Sequence, residues 1–174
     1  YVDNAYYRIQ QGELDGISPR IVILMIGTNN VGHRRDTPET CAANTKALIT
    51  LIRRKCPSSK ILLLGILPRK EKDLAEVIRE TNRRLSLLAD KQHVFFSNPG
   101  QTLQESGTGT LRKSCTTDGL HLSSTGYSIL ADELAELLHR ADPQYKGGKV
   151  PRPNKIDGMD PEQVHLVAIG DSIT

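Results

Sequence analysis

Four short apolar runs punctuate this chain of 174 residues: "RIVILMI" at 20–26, "KILLLGI" at 60–66, "HVFFS" at 93–97 and "VHLVAIG" at 164–170. Each is too short for a buried helix, and continuous branched or aliphatic residues beside glycine fit strands covered on both faces. Between the runs the apolar positions fall at helical spacing. Ala5, Tyr6, Ile9 and Leu14 predict a helix over 3–15, stopped by Gly16 and Pro19. Asp36 and Thr37 are candidate N-caps, with Pro38 and Glu39 in the first turn of a helix reaching about Cys56. Its inner stripe is Cys41, Leu48, Leu51 and Ile52. Leu74, Val77, Ile78, Leu85 and Leu88 predict a helix over 73–90. Ile129, Leu134, Leu137 and Leu138 predict another over 124–140. Strands alternating with helices of this length predict βαβ units, hence an α/β fold: a parallel sheet with helices on both faces.

The alternation breaks at "QYKGGKVPRPNKIDGMDPEQ", 144–163, which has little to bury and reads as a linker. The expected organisation is a core over 1–143, the linker over 144–163, and a terminal strand and turn over 164–174 that belongs to the same or a neighbouring copy. The length suits one domain with a proper core. A formal charge of +3, with no basic stripe interleaved with aromatics, argues against nucleic acid as a partner. "RRK" at 53–55 fits a helix end, where cations suit the dipole. "HRR" at 33–35, in a loop after a strand, reads as solvated surface, with substrate contact the alternative. Cys41, Cys56 and Cys115 have neither metal nor disulfide spacing and read as packing residues. No apolar run has the length of a membrane span, and residues 1–20 lack a signal-peptide pattern.

Parallel α/β sheets build their sites beyond the carboxyl ends of the strands. Two strand ends here run into "GTNN" (Gly27–Asn30) and "GDS" (Gly170–Ser172). "TTDGLHLSSTGY" at 116–127 precedes the last helix and sets Asp118 three residues before His121. Ester hydrolysis needs a serine hydroxyl, a neutral imidazole to take its proton, an acceptor to orient that imidazole, and donors aimed at the oxyanion. Ser172, His121 and Asp118 are candidates for the first three roles. The Asn29 carboxamide and the Ser172 backbone N–H are candidate donors. Each motif alone has a plainer reading: a serine capping a helix, a hydrogen-bonded Asp-x-x-His turn, a Gly-Asn turn. Their joint occurrence at strand ends favours the chemical one.

"GDSIT", "GTNN" and "DGLHLSSTGY" resemble three of the four sequence blocks of the SGNH (GDSL) hydrolases. "GELDGISPRIVILMIGTNN", "ILLLGILPR" and "ETNRRLSLLA" extend the resemblance toward intracellular platelet-activating-factor acetylhydrolases and their bacterial relatives. The resemblance implies a three-layer, flavodoxin-like parallel sheet. It implies Ser172 as nucleophile, His121 as base, Asp118 as its orienting acid and Asn29 as oxyanion donor, with Gly27, Asp171 and Asn30 in support. No metal or other cofactor is implied. The expected substrate is a small acyl ester, an acetyl ester foremost, of a sugar or lipid-like alcohol, and a homo-oligomer is compatible with the resemblance. Absence of a G-x-S-x-G elbow agrees with this family rather than with the α/β-hydrolases. Where many members have aspartate after the oxyanion asparagine, this chain has Asn30, which the acetylhydrolase-like branch tolerates.

The order of the blocks departs from the family. Here it runs asparagine, histidine, serine, and the glycine block is absent. A circularly permuted or reordered single domain is expected; a window across a tandem array, or joined pieces with an omitted segment, would give the same order. The expected activity is a serine ester hydrolase, weakened by lack of the glycine donor. The alternatives are a catalytically incomplete module that binds a ligand or partner and, less favoured, a nucleotide-binding flavodoxin-like domain, for which no phosphate-cradling glycine loop follows a strand.

Overall fold

The computed structural model of the protein describes residues 1–145 and 166–170. Helix α1 (Val2–Gln10) leads to strand β1 (Ile21–Met25). A single-turn helix α2 (Thr28–Gly32) and the long α3 (Pro38–Lys55) follow. Then come β2 (Lys60–Leu64), α4 (Ala75–Ser86), β3 (Val94–Ser97), the short α5 (Gly100–Leu103), α6 (Ser124–Ala141) and β4 (Leu166–Gly170). The four strands form one parallel sheet in the order β3-β2-β1-β4.

The continuous apolar runs are explained by burial on both faces of this sheet. Val22 and Leu24 of β1 and Ile61 and Leu63 of β2 face one core, with α1, α3 and α4. Their neighbours Ile21, Ile23, Leu62 and Leu64 face a second core, closed by α6 and the segment before it. Successive strand residues point to opposite faces, so a strand between two helical layers has no polar side. The result is a three-layer, flavodoxin-like α/β architecture. All three cysteines are buried.

Several ends differ from expectation. Helix α1 stops at Gln10 rather than 15, because Gly12 takes a left-handed φ of 106° two residues later. Thr37, not Asp36, caps α3, accepting the Thr40 N–H at 3.2 Å. Asp36 instead accepts from Asn30 Nδ2 at 2.8 Å. The helix expected over 73–90 is regular only to Ser86 and opens with a 3₁₀ turn at Lys72–Leu74. "RRK" does end α3. "HRR" is exposed, as expected, and its arginines are paired at the surface: Arg34 with Asp3 and Asp36, and Arg35 with Asp73 at 2.8 Å. Among the described residues, no helix is long and apolar enough to cross a membrane. Residues 146–163 of the expected linker lie outside the described residues.

Candidate active site

The carboxyl ends of β1, β2 and β4 lie side by side, with Met25 level with Leu64 on one side and Gly170 on the other. Two residues past Met25, Gly27 takes a φ of 110° and turns the chain from β1 into α2. Only glycine reaches this conformation without strain. A Cβ here would also stand 3.0 Å from Ile66 Cδ1 and 3.1 Å from Cys41 Sγ. Asn29 and Asn30 follow within α2 and part company. Asn30 is fully buried, accepts the Val2 N–H at 3.0 Å and donates to Asp36 at 2.8 Å. It ties α1 to the α2–α3 turn, which gives it an architectural place. Asn29 is half-buried, and its carbonyl oxygen accepts the His33 N–H at 3.0 Å.

The segment before α6 is folded on its own polar groups. Thr116 Oγ1 accepts the N–H groups of Asp118 and Gly119 at 3.3 and 2.7 Å, and donates to the His121 carbonyl at 2.8 Å. Gly119 completes the turn at φ 91°. Asp118 Oδ1 accepts the N–H of Leu120 at 2.9 Å and of His121 at 2.8 Å. Its other oxygen, Oδ2, stands 2.7 Å from His121 Nδ1. The local hydrogen-bonded turn and the carboxylate–imidazole pair are therefore one structure. The His121 N–H, its ring and the Leu120 N–H hold the Asp118 carboxyl well below the usual carboxylate range. An ionised carboxylate can only accept, so Nδ1 carries the ring proton of neutral His121 and Nε2 is its basic nitrogen. Ser123 caps α6 by accepting the Gly126 N–H at 3.3 Å, which fixes this turn to the helix that follows.

Thr28, His121 and the Ile66–Pro68 segment after β2 share one cleft of about 50 Å³. Its walls are mostly apolar: Met25, Ile26, Leu67, Leu120, Leu122 and Tyr127 complete it. The structure thus brings the asparagine turn and the Asp118–His121 turn to one cleft at the carboxyl edge of the sheet. Asp171 and Ser172 lie outside the described residues; β4 delivers the chain as far as Gly170, beside Met25.

Sequence reading did not single out Leu67, Tyr127 or the polar side chains behind the cleft. Arg69 is 5% exposed, paired with Glu71 and in reach of Thr28. The available signal was a cation directly after the proline that ends the β2 segment, with an acid two residues on.

The chain belongs to the GDSL-like lipase/acylhydrolase family, whose model matches residues 3–129. Platelet-activating factor acetylhydrolase IB subunit alpha1 of Bos taurus is 34% identical over 155 residues, covering 84% of this chain and 63% of that one. The chain thus spans less than two thirds of that relative's length. Among solved structures, a carbohydrate esterase family 3 protein from Talaromyces cellulolyticus superposes with a TM-score of 0.64 at 20% identity, covering 79% of this chain and 65% of that one. Est24, a carbohydrate acetylesterase from Sinorhizobium meliloti, gives 0.52 at 20% identity, covering 78% and 67%. These structural likenesses define the same fold.

Proposed function

We propose that the protein is a serine ester hydrolase that removes small acyl groups, acetyl foremost. The observation that carries the reading is the Asp118–His121 pair, joined at 2.7 Å and opening on a cleft at the carboxyl edge of a parallel sheet. In this reading Ser172 Oγ attacks the ester carbonyl and its proton passes to His121 Nε2. Asp118 holds the ring in the tautomer that accepts this proton and stabilises the imidazolium that results. The Asn29 carboxamide and the Ser172 N–H donate to the developing oxyanion, where preorganised donors are most effective. Protonated His121 then gives its proton to the departing alkoxide. Water, deprotonated in turn by His121, cleaves the acyl-serine and restores the hydroxyl.

Family membership supports the reaction class. The adjacency of Gly170 to Met25 supports Ser172 and β4 serving the same site as His121. The acyl preference is supported by the small, largely apolar cleft, and by the acetylhydrolase and acetylesterase names of the relatives. An acetylated sugar or a lipid-like alcohol is the proposed acyl donor.

The test is hydrolysis of p-nitrophenyl acetate, acetylated xylose and an acetylated glycerol ether by the chain, beside Ser172→Ala and His121→Ala. Activity on an acetyl ester, abolished in both variants, is expected. Undiminished activity in either variant overturns the assignment. Binding of these esters without turnover would favour the incomplete-module alternative.

A further inference from the structure

The site depends on two turns that come from distant parts of the sequence, one carrying Asn29 and the other Asp118 and His121. We propose that the segment after β2, Pro68–Glu71, is the clamp that sets these turns against each other, with Arg69 as its positioning residue. The inference rests on the ester-hydrolase reading and adds residues outside its reacting groups.

The Arg69 side chain is 5% exposed, and a buried guanidinium persists only when paired. Its Nε and Nη2 each lie 3.2 Å from an oxygen of Glu71, a two-pronged pairing. Glu71 is correspondingly held below the usual carboxylate range by Arg69. With that edge committed, Nη1 points to α2, 3.3 Å from Thr28 Oγ1 and 3.5 Å from its carbonyl oxygen. The same nitrogen lies over the last residue of α2: a Cβ on Gly32 would meet it at 2.6 Å. Arg69 therefore bears on both ends of the single turn that contains Asn29. Lysine cannot reproduce this, since a point charge cannot pair with Glu71 along one edge and reach Thr28 along another.

The next residue holds the other turn. The Lys70 N–H donates to the Gly119 carbonyl at 2.9 Å, and Lys70 Nζ donates to the Asp118 carbonyl at 3.1 Å. Its methylenes cover Gly119 so closely that a Cβ there would stand 2.5 Å from Lys70 Cδ. Arg69 also accepts the Leu111 N–H at 3.2 Å, fixing the clamp to the segment leading into the His121 turn. Two adjacent residues thus touch both halves of the site, which makes their relative placement a property of this segment.

The test compares Arg69→Lys, Gly32→Ala and the double variant with wild type and with Arg79→Lys, an exposed control, all on the full chain. Gly32→Ala displaces the guanidinium without altering it. On an acetyl ester, kcat should fall about 10–100-fold in each single variant with KM nearly unchanged, because small misplacements are that costly. The double variant should be no worse than the weaker single, since both act through one contact. Melting curves should show all variants folded, and the Asn29 amide and His121 Hδ1 resonances should shift in both singles. Unchanged kcat in folded Gly32→Ala and Arg69→Lys, or additive losses, overturns the proposal. Should Arg69→Lys fail to fold, Gly32→Ala alone decides by the same kcat and resonance criteria. If wild type hydrolyses no ester, the ester reading fails by itself; the Asn29 and His121 resonances then decide the clamp, and unmoved resonances reject it.

Discussion

His121 Nδ1 stands 2.7 Å from Asp118 Oδ2, while Asp118 Oδ1 takes the His121 backbone N–H at 2.8 Å. One carboxylate thus fixes both the ring and the main chain of the same residue. Asparagine at 118 could still accept the backbone N–H groups, but its amide would oppose the Nδ1 proton and favour the other tautomer. Asp118→Asn is therefore expected to lose as much as about 10⁴-fold in kcat, and His121→Ala to lose more. Steady-state kinetics on one acetyl ester rank the two. Asp118 lies well below the usual carboxylate range, so it stays charged until far into acid. The acid-side fall of the pH–rate profile should accordingly persist in Asp118→Asn. A profile that loses that limb in the variant would place the titrating group at Asp118.

Neighbouring asparagines should separate cleanly by experiment. Asn30 is fully buried between the Val2 N–H and the Asp36 carboxylate. Asn30→Ala strands the buried Val2 N–H and leaves Asp36 to Arg34 alone, and should cost about 1–3 kcal/mol of stability, seen as a Tm several degrees lower. Asn29→Ala should leave Tm close to wild type and lower kcat about 10²–10³-fold, as removal of an oxyanion donor does. A rise in KM alone would recast Asn29 as a substrate-binding residue.

The contrast shows what the sequence makes legible. Strands β1 and β2 are visible because burial on both faces leaves a run with no polar position, and α3 because its proline and threonine cap it. The Asp118–His121 spacing was visible because a hydrogen-bonded turn brings residues three apart into contact without help from the rest of the chain. Arg69 is not, because its contacts with Thr28 and Gly32 reach some forty residues back, and the one local signal, Glu71 two residues on, marks a surface ion pair as readily as a buried one. The Asn30 tie to Val2 is hidden for the same reason. Helix α1 stops early because Gly12, with its positive φ, ends it before Gly16 can. Roles that fall on Asp171 and Ser172 remain the sequence's contribution alone.

Asp90 offers a test of acid stability away from the site. Burial alone would raise its pKa, but N–H groups of Val94, His93 and Gln92, all received by Oδ1, bring it down to about 2. A carboxylate depressed on folding stabilises the native state above its unfolded value, about 3.9, and that contribution fades as pH falls toward the folded value. Asp90→Asn keeps one acceptor oxygen and loses the charge. Its Tm should lie below wild type at neutral pH, and the gap should close between about pH 4 and pH 2. A gap that is constant with pH would mean that the charge contributes nothing at this turn.

The cleft beside His121 measures about 50 Å³, and Leu67 and Tyr127 are among its walls. A short acyl group can occupy such a space, whereas each further methylene must either displace a wall or stay in water. Wild type is therefore expected to prefer acetyl over butyryl and hexanoyl p-nitrophenyl esters in kcat/KM. Leu67 is only partly buried and packs against the second core from the cleft side, so shortening it opens the cleft without hollowing the sheet. One methylene in an apolar pocket is typically worth about 1–3 kcal/mol, or 10–200-fold in discrimination. Leu67→Ala should thus raise the butyryl-to-acetyl ratio of kcat/KM by about tenfold or more, while activity on acetyl changes little. If the ratio stays at the wild-type value in a variant whose Tm shows it folded, the acyl group binds elsewhere than against Leu67.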